Sequence, residues 1–408
     1  MLLIVSTVIL SKYFQLPRNI LILFIVQPLV MSATPVIVFI GGILSSKLSN
    51  DPSLATLPIT VMILGVASSV IPATFLAKVF GRRKATLIGF TCGLFAALFA
   101  MTAAITSSFE TFIAANFLFG TCAAFIQQLR FAAIESTAVA EDIPKVLSVL
   151  MLSGIFAAFL GPEVAILGRD LLVSPHGFAG SFLLIAVLIL IAMLFMCMFI
   201  DSTSINQPIV GEPRALNIIT KQPIFIISLL SAVIGYALMS YLMTATPMSM
   251  HKMMGHSLMD TKWVIQSHIA AMFIPSFFTA ILIKKIGLSW LLFIGTLLYA
   301  VVTIIALSGK NVIHFWWALV LLGTGWNFLF LIGTTLLPQS YQANERYKVQ
   351  ALNDFVLFGF QAIASILAGW VLFNAGWTIL VLSIIPFIII LFLLSWYFFR
   401  YESNKKSP

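Results

Sequence analysis

Three titratable side chains sit inside long apolar runs of this sequence: Glu163, His268 and Asp354. A charge held in hydrocarbon costs free energy unless it is paired or wet, so groups of this kind take up and release protons or bind a partner. Glu163 comes about 18 residues after Lys145, which along a helix at 1.5 Å per residue is roughly 27 Å. A second set is polar without being acidic. Gln127, Gln128 and Arg130 close one apolar run, Trp326 and Asn327 interrupt another, and Gln27, Tyr236 and Tyr241 are scattered more thinly. Buried amides and hydroxyls need hydrogen-bond partners, supplied by a neighbouring helix or by a bound solute. One histidine and one carboxylate do not make a metal site, and no paired carboxylates or Ser/His/Asp set gathers, so no metal, cofactor or enzymatic chemistry is expected.

The elements that must position these groups are membrane helices. With 61% hydrophobic residues and a mean hydropathy of +1.10 over 408 positions, no water-soluble domain could hide so much apolar surface, and the lipid bilayer is the expected solvent. Runs of about 20 residues without strand alternation select helices over a barrel. Residues 1–18 form a lead-in whose apolar start is too short to span and lacks the basic start and cleavage site of a signal peptide. Six spans follow at 19–46, 54–78, 84–106, 110–134, 145–168 and 178–200. A polar linker occupies 201–222. Six more spans lie at 223–249, 261–284, 287–307, 313–337, 348–373 and 377–399, before a tail at 401–408. Cys92, Cys122 and Cys197 all fall within spans, so no disulfide framework is implied.

The short segment between the second and third spans carries Lys78, Arg82, Arg83 and Lys84. Lys and Arg collect in cytoplasmic loops, and the resulting topology puts 17 of the 22 basic residues and both termini on that side. The net charge of +9 therefore reports topology and calls for no nucleic-acid partner. The stretch Leu76-Ala77 through Gly81-Arg82-Arg83 resembles the loop between helices 2 and 3 of the major facilitator superfamily, written G-x-L-a-D-r-x-G-r-k. Thr74, Lys78 and Val79 replace its first glycine, its aspartate and its first arginine. The resemblance covers nearly the whole chain after residue 19. It implies an all-α fold of twelve transmembrane helices, as two pseudo-symmetric six-helix bundles, 19–200 and 223–400, around a central cavity.

Internal repetition agrees with that fold. Met31-Ser32-Ala33-Thr34-Pro35 returns as Met243-Thr244-Ala245-Thr246-Pro247, Gly81 and Gly89 as Gly287 and Gly295, and Gly120-Thr121 as Gly323-Thr324. In the superfamily, spans 1, 4, 7 and 10 line the cavity, which makes Gln27, Gln127, Gln128, Arg130, Tyr236, Tyr241, Trp326 and Asn327 candidate substrate contacts. Spans 5 and 8 face one another, which brings Glu163 toward His268 as proton-coupling candidates. Span 11 abuts the hairpin, so Gly81, Arg82, Arg83 and Asp354 form a candidate cytoplasmic gate, with Asp354 supplying the missing acid. Pro35, Pro162 and Pro247 are candidate helix breaks. Asn116 stands where proton-coupled members often carry a span-4 arginine. Gly154 through Gly161-Pro162-Glu163 resembles a pattern commoner in antiporters, although Ala165 replaces its next glycine.

The expected function is secondary active transport of a small organic solute by alternating access. The resemblance implies a monomer in the bacterial inner membrane, coupled to protons, with export slightly favoured over import of a nutrient such as a vitamin or siderophore. No G-x-x-x-x-G-K loop is present, so ATP is not the expected energy source. The competing class is a non-transporting scaffold or enzyme that kept the fold.

Overall fold

A computed structural model describes residues 16–49, 51, 54–55, 57–136, 143–201 and 212–406. Most of the lead-in and residues 202–211 of the linker lie outside them. The described residues are predominantly helical, with no strand among them, and the chain divides into two compact units, Met1–Ile205 and Asn206–Pro408. Each of the twelve stretches read as spans falls on helix.

In the first unit α1 is Arg18–Leu48, α2 and α3 are 57–80 and 82–106, and α4 runs from Phe109 to Glu135 with an irregular turn at Gln128. Then α5 is Ile143–Leu167 and α6 is Ala179–Cys197. In the second unit α7 is Pro223–Met253, and α8 comprises Leu258–Phe273 and Ser276–Ile286. Next come α9, Leu288–Ser308, and α10, Val312–Ser340. The last two helices are α11, 346–375, and α12, 377–406 with a turn at Ser383 and Ile384.

Nine stretches among the described residues are long and apolar enough to cross a membrane. Two of them, Leu57–Thr106 and Lys348–Asn404, run to 50 and 57 residues, more than twice the ~20 a bilayer requires. Each is a hairpin. Gly65 and Gly93 would be about 42 Å apart on a straight helix, yet Gly65 packs on Phe117 and Gly93 on Cys122, little more than one turn apart on α4. The chain reverses at Gly81, whose φ of 81° only glycine adopts without strain. Gly376, with φ 79°, does the same between α11 and α12, so that Ser365 and Ser383 both bond to one turn of α7, at Thr244 and Tyr241. The remaining short count is α8, which Ile274 and Pro275 cut into pieces of 16 and 11 residues.

The two units repeat one another in physical detail. Gly287 has φ 85° and ψ 168°, against 81° and 165° at Gly81. Pro35 and Pro247 each precede a five-residue π-helical stretch, Ile37–Gly41 and Ser249–Met253. A proline lacks the N–H that its turn needs and its ring crowds the preceding carbonyl, and widening the next turn absorbs both. Gly120 meets the Met62 carbonyl of α2, and Gly323 meets the His268 carbonyl of α8 at 2.6 Å from where a Cβ would stand. These are backbone-to-backbone crossings that exclude any side chain. Pro162 departs from expectation: α5 runs unbroken through it. The real interruption is at Pro275.

Candidate functional site

The hairpin end of the first unit is a closed polar network. Arg82 is 8% exposed and grips Glu135 with two hydrogen bonds, Nε to Oε2 at 2.9 Å and Nη2 to Oε1 at 2.6 Å. Its Nη1 donates to Gln128 Oε1 at 3.1 Å, and its guanidinium lies 5.7 Å from the Phe131 ring centre. Asp201, read as the first linker residue, sits over Gly81 and accepts the Arg83 backbone N–H at 2.9 Å. A carboxylate there satisfies an orphan amide at the start of α3 and complements the helix dipole. Asn19 joins in, donating to Ser136 Oγ and the Ile200 carbonyl.

The expectation that Arg82 lacks an acid of its own is therefore corrected. Lys78 removed one aspartate from the motif, and Glu135 and Asp201 stand in its place. Neither was singled out from the sequence, because one ends α4 and the other lies four residues beyond α6, and only folding brings them to Gly81. Gln128, a substrate-contact candidate, is 4% exposed and serves this network. Neighbouring Gln127 is half-buried, and the Arg130 guanidinium lies over Phe131 at 4.7 Å. Arg83 is half-buried on α3, and Asp354 is 3% exposed on α11, where Asn353 Nδ2 donates to its Oδ1 at 3.0 Å.

The second unit carries a comparable clasp. Glu345, fully buried in the α10–α11 connection, accepts from Arg214 at 2.7 and 2.8 Å and from the backbone N–H groups of Arg214 and Gln342, each at 2.8 Å. Arg214 and Gln222 both donate to the Ser340 carbonyl. The Arg214 guanidinium, helped by the backbone amides, holds the Glu345 carboxyl down at about 2.

Several candidates turn out to tie helices together. His268 is fully buried, and its Nδ1 lies 2.7 Å from the Leu319 carbonyl of α10, so Nδ1 carries the proton and donates. Its Nε2 meets no partner among the described residues. Asn327 is also fully buried: its Nδ2 donates to the Met272 carbonyl at 2.8 Å and to Ser276 Oγ at 2.6 Å. That amide repairs the backbone where Pro275 interrupts α8. Gln27 donates to the Leu150 carbonyl, joining α1 to α5, and Tyr241 bonds Ser383, joining α7 to α12. Gly161 of the span-5 pattern packs on the Ser32 carbonyl and on Pro35, so the pattern gives α5 close approach to the irregular part of α1. Glu163, two residues on, is exposed on the unit's surface.

A last group is aromatic and joins α7, α10 and α11. Trp326 and Phe330 on α10 stack with centres 5.1 Å apart and planes 7° from parallel. Tyr236 of α7 meets both edge-on, at 5.1 and 5.4 Å, and meets Phe358 of α11 at 5.8 Å. Trp326 is 2% exposed, and its indole Nε1 has no hydrogen-bond partner among the described residues. Among those residues no three His, Cys, Asp or Glu side chains gather to hold a metal.

Comparison with known proteins agrees with this architecture. The chain is 40% identical over 364 residues to the riboflavin transporter RfnT of Brucella anthropi, covering 88% of this chain and 90% of that one. It is 27% and 28% identical to two uncharacterised MFS-type transporters of Bacillus subtilis, YddS and YdeG, with coverage of 90% and 88% of this chain and 87% and 86% of theirs. The Major Facilitator Superfamily model matches residues 20–261 and 229–408. Two helical units with the same glycine hinges and proline-linked π turns, matched from residue 20 to the last, place this chain in the major facilitator superfamily of membrane transporters.

Proposed function

We propose that this transporter carries riboflavin, or a vitamin with the same flat heterocycle, into the cell by alternating access driven by protons. The observation that carries the reading is the 40% identity to a riboflavin transporter across nine-tenths of both chains. The aromatic group of the second unit supports it. A flat, carbonyl-bearing ring needs aromatic faces to stack on and N–H donors to pair with; the half-buried Phe330 ring supplies a face and the Trp326 indole, without a partner among the described residues, supplies an N–H. An indole N–H left unpaired in hydrocarbon costs free energy that an arriving acceptor recovers.

Import is favoured over export because packing of Gly161 against Pro35 accounts for the antiporter-like glycines of α5 without a role in direction. Glu163 is proposed as the proton carrier. Twelve crossings with both termini in the cytoplasm are part of this reading, and the basic hairpin supports the orientation. The test is uptake of labelled riboflavin by cells that cannot synthesise it and lack their own carrier. Expression should restore growth at low vitamin concentration, with uptake abolished by a protonophore. Loss of preloaded riboflavin from the cells would reverse the direction, and no movement either way would reject the substrate.

A further inference from the structure

We propose that the hollow between the end of α1 and the α5–α6 loop of the first unit holds the phosphate of an anionic phospholipid. The loop is built as a rigid platform. Gly168 and Gly180 pack backbone to backbone, Ser181 Oγ donates to the Ala165 carbonyl at 2.7 Å, and the Phe178 N–H closes on the Arg169 carbonyl at 2.8 Å. Phe178 is held at φ 72°, in the left-handed region, with its ring buried beneath the Arg169 guanidinium 5.8 Å away. A bulky residue keeps that conformation only where the surroundings impose it.

This platform and the last turn of α1 bring Lys47, Arg169 and His176 around a hollow of about 350 Å³. Asp170 is the one acid in its lining. Its side chain is 86% exposed and pairs loosely with Arg169, Oδ1 to Nε at 3.8 Å, so solvent screens much of its charge and Lys47 and Arg169 together outnumber it by one. Ser174 is also in the lining, its hydroxyl buried and without a partner among the described residues.

What distinguishes a lipid from a soluble anion is the rim. Val173, in the lining of the hollow, is 101% exposed, Leu171 on the same loop is 56% exposed, and Leu167 at the end of α5 is 71% exposed. A soluble anion gives these side chains nothing to pack on. A phospholipid satisfies both halves, its phosphate meeting the cations and its acyl chains covering the leucines and valine. The position fits as well. The loop lies at the end of the bundle opposite the Gly81 hairpin, one helix length away, a separation that matches the distance between the two headgroup layers of a bilayer.

The test is native mass spectrometry of the full-length protein released from mixed micelles containing phosphatidylglycerol and phosphatidylcholine. Wild type should retain phosphatidylglycerol preferentially. Lys47→Gln and Arg169→Gln should each cut that preference by about fivefold, and Arg169→Lys should keep most of it. Leu171→Ser with Val173→Ser leaves every cation in place and should still weaken retention. Equal retention by wild type and both glutamine variants would overturn the proposal. So would full displacement by millimolar inorganic phosphate with no effect of the serine variant, which would mark a soluble-anion site. Lys47→Gln lies on a different element from the loop, so it remains informative if changes at Arg169 disturb folding.

Discussion

Arg214 and Glu345, 131 residues apart in sequence, close to 2.7 Å and fix the last residues of the linker to the connection between α10 and α11. Glu345 is fully buried, and four donors converge on its two oxygens.

The pH dependence of this clasp has a definite sign. The Arg214 guanidinium lowers the Glu345 carboxyl from 4.5 to about 2, so folding favours its ionised form. The stabilisation is present in full above pH 4.5 and is lost as pH falls toward 2. Thermal unfolding of purified protein should therefore show an acid limb between those values that Glu345→Gln flattens. At pH 7 the same variant should melt lower than wild type. An unchanged limb would assign the acid sensitivity to another carboxylate.

At the hairpin of the first unit, Arg82→Ala should be more harmful than Glu135→Gln. Removing the 8% exposed arginine takes the shared donor from Gln128 and Glu135 together, at a cost on the order of 2–3 kcal/mol. Arg82→Lys should recover little, because one ammonium cannot replace the forked contact. Melting temperature in a fixed detergent reads the order, and equal melting of all three variants would contradict it.

Glu163→Gln keeps the size and hydrogen-bonding capacity of the protonated acid. It should abolish accumulation driven by a pH gradient in proteoliposomes while retaining exchange of unlabelled for labelled substrate. Loss of both activities would make Glu163 structural, and retention of both would move the proton elsewhere, with Asp354 next to be examined.

Trp326→Phe preserves the stack on Phe330 and removes only the indole N–H. If the N–H pairs with substrate, KM should rise about tenfold with kcat little changed. A KM equal to wild type would return Trp326 to a packing role.

Orientation is open to chemical labelling. Lys84→Cys should resist an impermeant thiol reagent in intact cells and Lys252→Cys should react, each against a background lacking the three native cysteines. The opposite pattern would invert the topology.

The residues themselves determined the class of the protein and the positions of its helices. Bilayer thickness sets the length of an apolar run, and the cost of moving lysine and arginine across lipid sets where the charges lie, so both are written locally. The glycine hinges and the duplicated prolines were legible for the same reason, since backbone conformation at Gly81 or Pro35 is dictated within a few residues. Tertiary structure alone decided which polar groups were available for function. His268, Asn327, Gln27 and Gln128 look alike on paper as buried polar side chains, and each is occupied by a carbonyl or a charge from a distant helix. Glu135, Asp201 and Glu345 gave no signal of their distant partners, because Arg82, the Arg83 amide and Arg214 lie 53 to 131 residues away from them. In a medium without water every donor must find its acceptor inside the protein, so pairing is decided by which helices touch. A sequence read one run at a time does not contain that information.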